Sequence, residues 1–257
     1  MNIIVCVKQV PDTTDIKWTE NNTIMREGVE SIMNPYDVWA LETALQIKKE
    51  LQNDTKITII TMGPQQAIPM LKKAIALGAD DAILLSDKKF AGADTFATGK
   101  TLATAINAKI PNADLILCGQ FAIDGDTAQT GPCIANNLNI PQVTFVKQLK
   151  KIETTQLLVE REVENGLETV EVKLPALICM LKSDAEPTRA LVAGIIKAQN
   201  FDVKIYGHED IGLTPDDIGI KGSPTYVSKA FRPTQRGACT FVTTIEEVSL
   251  AIGGKNG

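Results

Sequence analysis

Apolar and polar positions fall along the chain in blocks, and the period of those blocks changes twice. Ile3 to Val7 is an unbroken apolar run rich in β-branched residues, the pattern of a strand buried on both faces. A polar stretch follows from Asp12 to Ser31. Asn34-Pro35-Tyr36-Asp37 then opens a helix, with Asn34 expected as N-cap, Pro35 at the first helical position and Asp37 in the first turn. Val38, Leu41, Ala44, Leu45 and Leu51 recur at helical spacing. The strand–turn–helix cycle repeats: a strand over 56–61, a turn at Gly63-Pro64, and a helix over 67–77 ended by Gly78. A strand over 82–85 precedes a helix capped by Asp94 or Thr95 and running to about Ile110. A strand over 113–118, a loop over 119–125 and a helix over 127–138 complete the series. Strands that alternate with helices predict right-handed crossovers and a parallel sheet.

After Pro141 the period shortens. Runs over 157–163 and 167–172 flank Asn165-Gly166, a favoured two-residue hairpin turn, and charged and apolar residues alternate between Glu160 and Lys173, so one face of the hairpin is wet. Ala176 to Met180 reads as a further strand. From Phe201 the chain is rich in Gly, Pro and charge, and only Ile245 to Ile252 looks helical. The predicted architecture is α/β: a mostly parallel sheet with flanking helices, an antiparallel hairpin extension and a C-terminal arm. The expected division is a nucleotide-binding domain over 1–200 and an arm over 201–257 that packs on another subunit.

Composition narrows the function classes. With 44% apolar but only 5% aromatic residues in 257, the core must be built from Ile, Leu, Val and Ala. A net charge of −5 argues against a nucleic-acid binder. His208 is the single histidine, so a His-dependent triad or a zinc site lacks its raw material. Cys6, Cys118, Cys133, Cys179 and Cys239 show no metal or redox spacing, and the three in apolar runs (Cys6, Cys118, Cys179) read as small buried hydrophobes of a reducing compartment. No apolar run approaches the ~18 residues of a membrane span. The first residues are too short for a signal peptide, which favours the cytoplasm.

In an open parallel sheet ligands bind at the carboxyl ends of the strands. The loop after the first strand, Lys8 to Asp12, has no glycine, so the dinucleotide fingerprint is absent, as is the P-loop. The segment from Gly119 to Pro132 is the most informative. Gly119 and Gly125 allow close backbone approach, Asp126 with Gln129 resembles a capping box, and a helix start there would offer N–H groups to a phosphate, with Thr127 and Thr130 as hydroxyl donors. Asp124 suits a ribose or amide contact. The same spacing equally describes a capped helix with no ligand. Asn34 to Asp37 and Met62-Gly63-Pro64 fit contacts to adenine or ribose, or ordinary helix entries. Ala91 to Thr98 is another glycine-containing helix start.

Taken in order, Val7-Lys8-Gln9-Val10-Pro11-Asp12, Met33-Asn34-Pro35, Met62-Gly63-Pro64, Ala76-Leu77-Gly78-Ala79-Asp80 and Gly119-Gln120-Phe121-Ala122-Ile123-Asp124 form a specific set. Gln129-Thr130-Gly131, Glu160-Arg161-Glu162, Gly166-Leu167-Glu168 and Lys173-Leu174-Pro175-Ala176 continue it. To about Lys197 the chain resembles the beta (small) subunit of electron-transfer flavoproteins. The resemblance implies a fold related to adenine-nucleotide α-hydrolase domains, without hydrolysis, and an alpha-subunit partner that carries its own flavin. It implies an electron carrier with no catalytic residue of its own. It places a nucleotide against Cys6, Asn34, Tyr36, Asp37, Met62, Gly119, Phe121, Asp124, Gly125, Asp126, Thr127, Ala128, Gln129 and Thr130. One branch of that family holds a structural AMP there. The other, bifurcating branch holds FAD, which takes hydride from NADH and divides the electrons between a ferredoxin-like acceptor and the alpha-subunit flavin. Val10 to Thr13, Phe90 to Thr95 and Asp124 to Gln129 resemble the bifurcating branch. On that reading Thr95, Thr98, Thr127 and Thr130 are expected to hold a pyrophosphate, and the Gly92-Ala93 turn to leave room for the hydride donor. The family's dehydrogenase-docking loop often carries a leucine where Asp184 stands, so the partner is expected to be either an acyl-CoA dehydrogenase-type flavoprotein or another dehydrogenase.

Overall fold

The computed structural model describes residues 1–12, 31–51, 54–228 and 241–253; Thr13 and Cys239 lie outside them. The chain runs through β1 (Asn2–Cys6), a ribbon of β2 (Gln9–Pro11) and β3 (Ser31–Met33), α1 (Pro35–Leu51), β4 (Lys56–Met62), α2 (Ile68–Leu77) and β5 (Asp81–Leu85). It continues through α3 (Thr95–Lys109), β6 (Leu115–Gly119), α4 (Thr130–Leu138), β7 (Gln142–Ile152), β8 (Gln156–Val163), β9 (Gly166–Lys173) and β10 (Ala176–Met180). α5 (Val192–Gln199), β11 (Lys204–Tyr206) and α6 (Ile245–Gly253) complete it.

Nine strands form one sheet in the order β11-β5-β4-β1-β6-β10-β7-β8-β9. Neighbours from β11 to β7 pair in parallel; β7, β8 and β9 pair antiparallel. The apolar runs explain the layering. Along β1, Ile3 and Val5 face one core and Ile4 and Cys6 the other, so both faces need a cover. α1, α2 and α5 supply it on the first face, α3 and α4 on the second. α3 and α4 pack closely because Gly99 has no side chain: a Cβ there would lie 2.5 Å from the Cβ of Cys133.

The helical half follows the sequence pattern within a few residues; β2, β3 and α5 were not expected, and four further features depart from it. β7 was not anticipated. Its first residues pair with β10 in parallel and its last with β8 antiparallel, so one strand joins the two kinds of sheet. The hairpin loop is Glu164-Asn165, one position earlier than expected: Val163 pairs with Gly166, which takes φ +141°. α4 begins at Thr130, not Thr127, because Asp126 and Ala128 adopt left-handed φ of +49° and +56° and break the helical path. The break expected at residue 200 is also misplaced. β11 extends the sheet beside β5, and Ile211, Leu213 and Ile218 are buried in the core under α3. Beyond Thr225 the described apolar side chains stand uncovered: Tyr226, Val227, Phe241 and Ile245 are 81%, 86%, 91% and 85% exposed. Among the described residues no helix is long and apolar enough to cross a membrane.

Candidate functional site

The strand order turns around β1. The crossover through α1 leads from β1 to β4 on one face, and the crossover through α3 leads from β5 back past β1 to β6 on the other. The carboxyl ends of β1 and β6 are therefore the point where the winding reverses, and a crevice opens there.

Asp37 closes the floor of this crevice. Its Oδ2 accepts the Lys8 N–H at 2.7 Å and its Oδ1 the Gly119 N–H at 2.9 Å, so one carboxyl group ties the end of β1 to the end of β6. Burial pushes its pKa up to about 7, against the opposing pull of the Lys8 N–H, Asn34 and the Gly119 N–H. A Cβ at Gly119 would stand 2.4 Å from Asp37 Oδ1 and 2.6 Å from the Tyr36 Cβ, so only glycine fits. Asn34 occupies the position before α1, but its side chain is used elsewhere: Nδ2 donates to Phe121 O at 2.7 Å, and Oδ1 accepts from the Ile123 N–H at 3.3 Å. Lys8 pairs with Asp124 at 2.6 Å. Tyr36 and Phe145 meet Phe121 edge-on, with centroids 5.5 and 5.8 Å away. Phe145 holds φ +58°, and its N–H donates to the buried Gln120 Oε1 at 2.6 Å.

Cys6, Cys118 and Cys179 lie side by side on β1, β6 and β10. All three are buried, with Cys118 and Cys179 sulfurs 3.5 Å apart. Burial, then the charge of Asp37, pushes the Cys6 thiol up; the hydrogen bond with Cys179, then burial, does the same for Cys118. They act as an inert floor under α4, pressed against Gly131, where a Cβ would be 2.5 Å from Cys179 Sγ.

The lip of the crevice is different. Asp126 does not cap α4. The residue before the helix is Gln129, which makes no side-chain cap bond, and the Gly125 and Asp126 N–H groups turn back onto Ala122 O at 3.1 and 2.8 Å. No acceptor among the described residues takes the backbone N–H groups of Thr127, Ala128, Gln129, Thr130 or Gly131. A run of free N–H groups with left-handed residues interspersed is an anion-binding concavity, and it opens onto a helix N-terminus. α3 starts beside it. Asp94 Oδ1 accepts the Ala97 N–H at 2.9 Å, and Thr95 Oγ1 donates to Gln129 Oε1 at 3.3 Å, which joins the two helix starts.

Of the residues singled out from sequence, Cys6, Asn34, Tyr36, Asp37, Gly119, Phe121 and Asp124 build the floor and wall. Gly125 to Thr130 form the lip, and Thr95 joins it. Thr98 sits in the first turn of α3, Ala93 is half-buried just before it, and Met62 is half-buried at the end of β4. Gly92 is not open space. It takes φ +75°, and a Cβ on it would lie 2.4 Å from Ile220 Cγ1, so the room expected for a hydride donor is filled. Lys8, Gln120 and Phe145 take part in the floor without having been assigned a role. Volume alone would point elsewhere. A groove of about 570 Å³ runs between α1 and β7, lined by Trp39, Glu42, Gln46, Lys147 and Leu181 among others, and none of the site residues lines it. The chemistry of the lip, its open N–H groups, is what marks it.

A doubly covered, mostly parallel sheet with open backbone N–H groups at its switch point defines a protein of the α/β class. Among the described residues no group of three or more His, Cys, Asp or Glu side chains is placed to hold a metal. Residues 21–183 match the Electron transfer flavoprotein domain. The chain is 46% identical over 258 residues to the Acetobacterium woodii protein named Caffeyl-CoA reductase-Etf complex subunit CarD, covering 99% of this chain and 97% of that one. It is 46% identical over 250 residues to the Electron transfer flavoprotein subunit beta of Thermoanaerobacterium thermosaccharolyticum, covering 96% and 94%. It is 41% identical over 261 residues to Protein FixA of Azorhizobium caulinodans, covering 98% and 91%. The chain belongs to the electron transfer flavoprotein family, as a beta subunit. Such a subunit pairs with an alpha subunit.

Proposed function

We propose that this chain binds FAD in the β1–β6 crevice and, paired with its alpha subunit in the cytoplasm, takes electrons from NADH. It divides them between a ferredoxin-like acceptor and the alpha-subunit flavin that serves a dehydrogenase. The observation that carries the reading is the junction of two helix starts, Thr95 to Gln129, beside five consecutive N–H groups that have no acceptor among the described residues. A pyrophosphate needs more donors than a single phosphate; on this reading the N–H groups of the lip supply them with the hydroxyls of Thr98, Thr127 and Thr130, and with that of Thr95 once it leaves Gln129. When bound, FAD supplies the hydride acceptance and single-electron release that the side chains lack. The chain's own part is to hold and orient. Asp37 and Asn34 fix the floor, Lys8 neutralises Asp124 beside it, and the small Thr127-Ala128 pair leaves the lip unobstructed. The relative whose name places it in a caffeyl-CoA reductase–Etf complex supports a dehydrogenase partner that works on CoA thioesters.

One observation favours a smaller ligand. Ile220 fills the space over Gly92, which suits an AMP held for structure, with redox chemistry confined to the alpha subunit. The heterodimer decides between them. Purified, denatured and analysed for released nucleotide, it should yield a second FAD beyond that of the alpha subunit, no AMP, and flavin bleaching on NADH addition. One FAD with one AMP and no bleaching overturns the FAD reading in favour of AMP.

A further inference from the structure

After β11 the chain doubles back over the start of α3. His208 Nε2 lies 3.1 Å from Lys89 Nζ and its Nδ1 2.6 Å from Asp87 Oδ2. With Nε2 accepting from the ammonium, Nδ1 carries the hydrogen and donates to Asp87. This anchors the segment just ahead of the loop 90–95. Further on, Gly219 passes so close that a Cβ would meet Lys89 O at 2.1 Å, and Ile220 covers Gly92. Ser223 Oγ accepts the Asp94 N–H at 2.8 Å and donates to Gly219 O at 2.6 Å. The Thr225 N–H and hydroxyl both donate to Asp94 Oδ2, at 3.0 and 2.8 Å. Asp94 thus serves two structures at once: Oδ1 caps α3 and Oδ2 holds the returning chain.

We infer that residues 219–225 are part of the ligand site, with Ile220, Ser223 and Thr225 as positioning residues that hold the loop 90–95 and, through Thr95 and Gln129, the lip before α4. The inference rests on the reading that a nucleotide lies against that loop. Its physical basis is the division of the Asp94 carboxylate. When Oδ2 loses the Thr225 hydroxyl, only the Thr225 N–H still holds it, so the carboxylate turns more freely, the first turn of α3 loosens, and Thr95 moves with it. Water replaces the lost bonds at this partly exposed place, so the fold survives while the site loses its geometry. The same residues lead directly to Tyr226 and Val227, whose side chains are exposed.

The test uses the full heterodimer and follows the nucleotide beyond the one flavin of the alpha subunit. Ser223→Ala with Thr225→Val should release it about tenfold faster than wild type, the effect of losing one or two net hydrogen bonds. Assembly and the alpha-subunit flavin should be unchanged. Thr225→Val alone should show a smaller acceleration, which Thr225→Ser, keeping the hydroxyl, should abolish. Where the double variant fails to assemble, this single pair decides. Unchanged release in the variants overturns the inference, as does a faster release that Thr225→Ser shares with Thr225→Val. Wild-type protein that carries AMP overturns the FAD reading only, and the release comparison is then read on AMP. Wild-type protein with no nucleotide in this subunit overturns both.

Discussion

Two stretches a few ångströms apart, at the same end of the same sheet, treat their polar groups in opposite ways. In the floor of the crevice each polar group described above has a partner inside the chain: Asp37 takes the Lys8 and Gly119 N–H groups, Asn34 the Phe121 carbonyl and Ile123 N–H, Gln120 the Phe145 N–H. In the lip, Thr127 to Gly131 offer N–H groups that nothing in the described chain accepts, and among the described residues no atom beyond its chain neighbours lies within 4 Å of where a Gly125 Cβ would stand. The floor is a scaffold that is complete without a ligand. The lip leaves its donors open. Precision in a binding site comes from setting open donors on a closed, rigid base, and here the two jobs fall to adjacent strands' ends.

The largest effect expected on the floor is electrostatic. Asp37 has its carboxyl pKa raised by burial from 3.8 to about 7. The folded protein therefore holds a proton more tightly than the unfolded chain, and this group's contribution to stability grows as pH falls from about 7 towards 4 and is lost as pH rises through about 7. Three pKa units correspond to roughly 4 kcal/mol over that window. Asp37→Asn removes the titration. Denaturant unfolding of both proteins across this range should show wild type gaining on the variant as the solution is acidified. Parallel curves would mean that the carboxyl is not buried as described, and the floor would then resemble the lip.

A steric probe comes next. Gly119→Ala pushes a methyl group against Asp37 Oδ1 at 2.4 Å, the Tyr36 Cβ at 2.6 Å and Asp37 N at 2.9 Å. Two of these belong to the tight joint between β6 and α1 and cannot swing away, so the cost belongs near the upper end of overpacking, about 3 kcal/mol. A thermal or denaturant melt indistinguishable from wild type would show that the two strand ends are not held as closely as the carboxyl clamp requires.

Much of this frame was legible in the chain. Ile3 to Val7 reads as a strand buried on both faces and Ala113 to Cys118 as a further strand, and the repeated strand–helix cycle allowed little besides a parallel sheet. The residues of the crevice were also found, since glycines and helix starts at strand ends are local signals. Their roles were less visible. Asn34 reads as a helix cap by position, yet a carbonyl far along the chain, that of Phe121, takes its amide. Asp126 and Gln129 have capping-box spacing, but left-handed φ at Asp126 and Ala128 moves the helix start past them. Gly92 reads as open room when seen without Ile220. β7 escaped because its two halves belong to different neighbours, a pairing that no local period encodes. In each case a contact distant in sequence overrode a correct local cue.

The smallest expected change in stability separates floor from lip most sharply. Gly125→Ala places a methyl group where, beyond its chain neighbours, no atom of the described residues comes within 4 Å, and Gly125 is not among the glycines with positive φ. Sterically and conformationally the substitution is free, so unfolding should shift by no more than about 0.5 kcal/mol. A ligand phosphate or ribose lying along the lip would meet that methyl group directly. The variant heterodimer should then fold and assemble as wild type does, yet lose nucleotide more readily on gel filtration, whereas Gly119→Ala disturbs the fold first. If Gly125→Ala retains its full nucleotide complement, the ligand does not run along Gly125. The free N–H groups of Thr127 to Gly131 would then be met by water, and the lip would be an exposed turn beside a well-built floor.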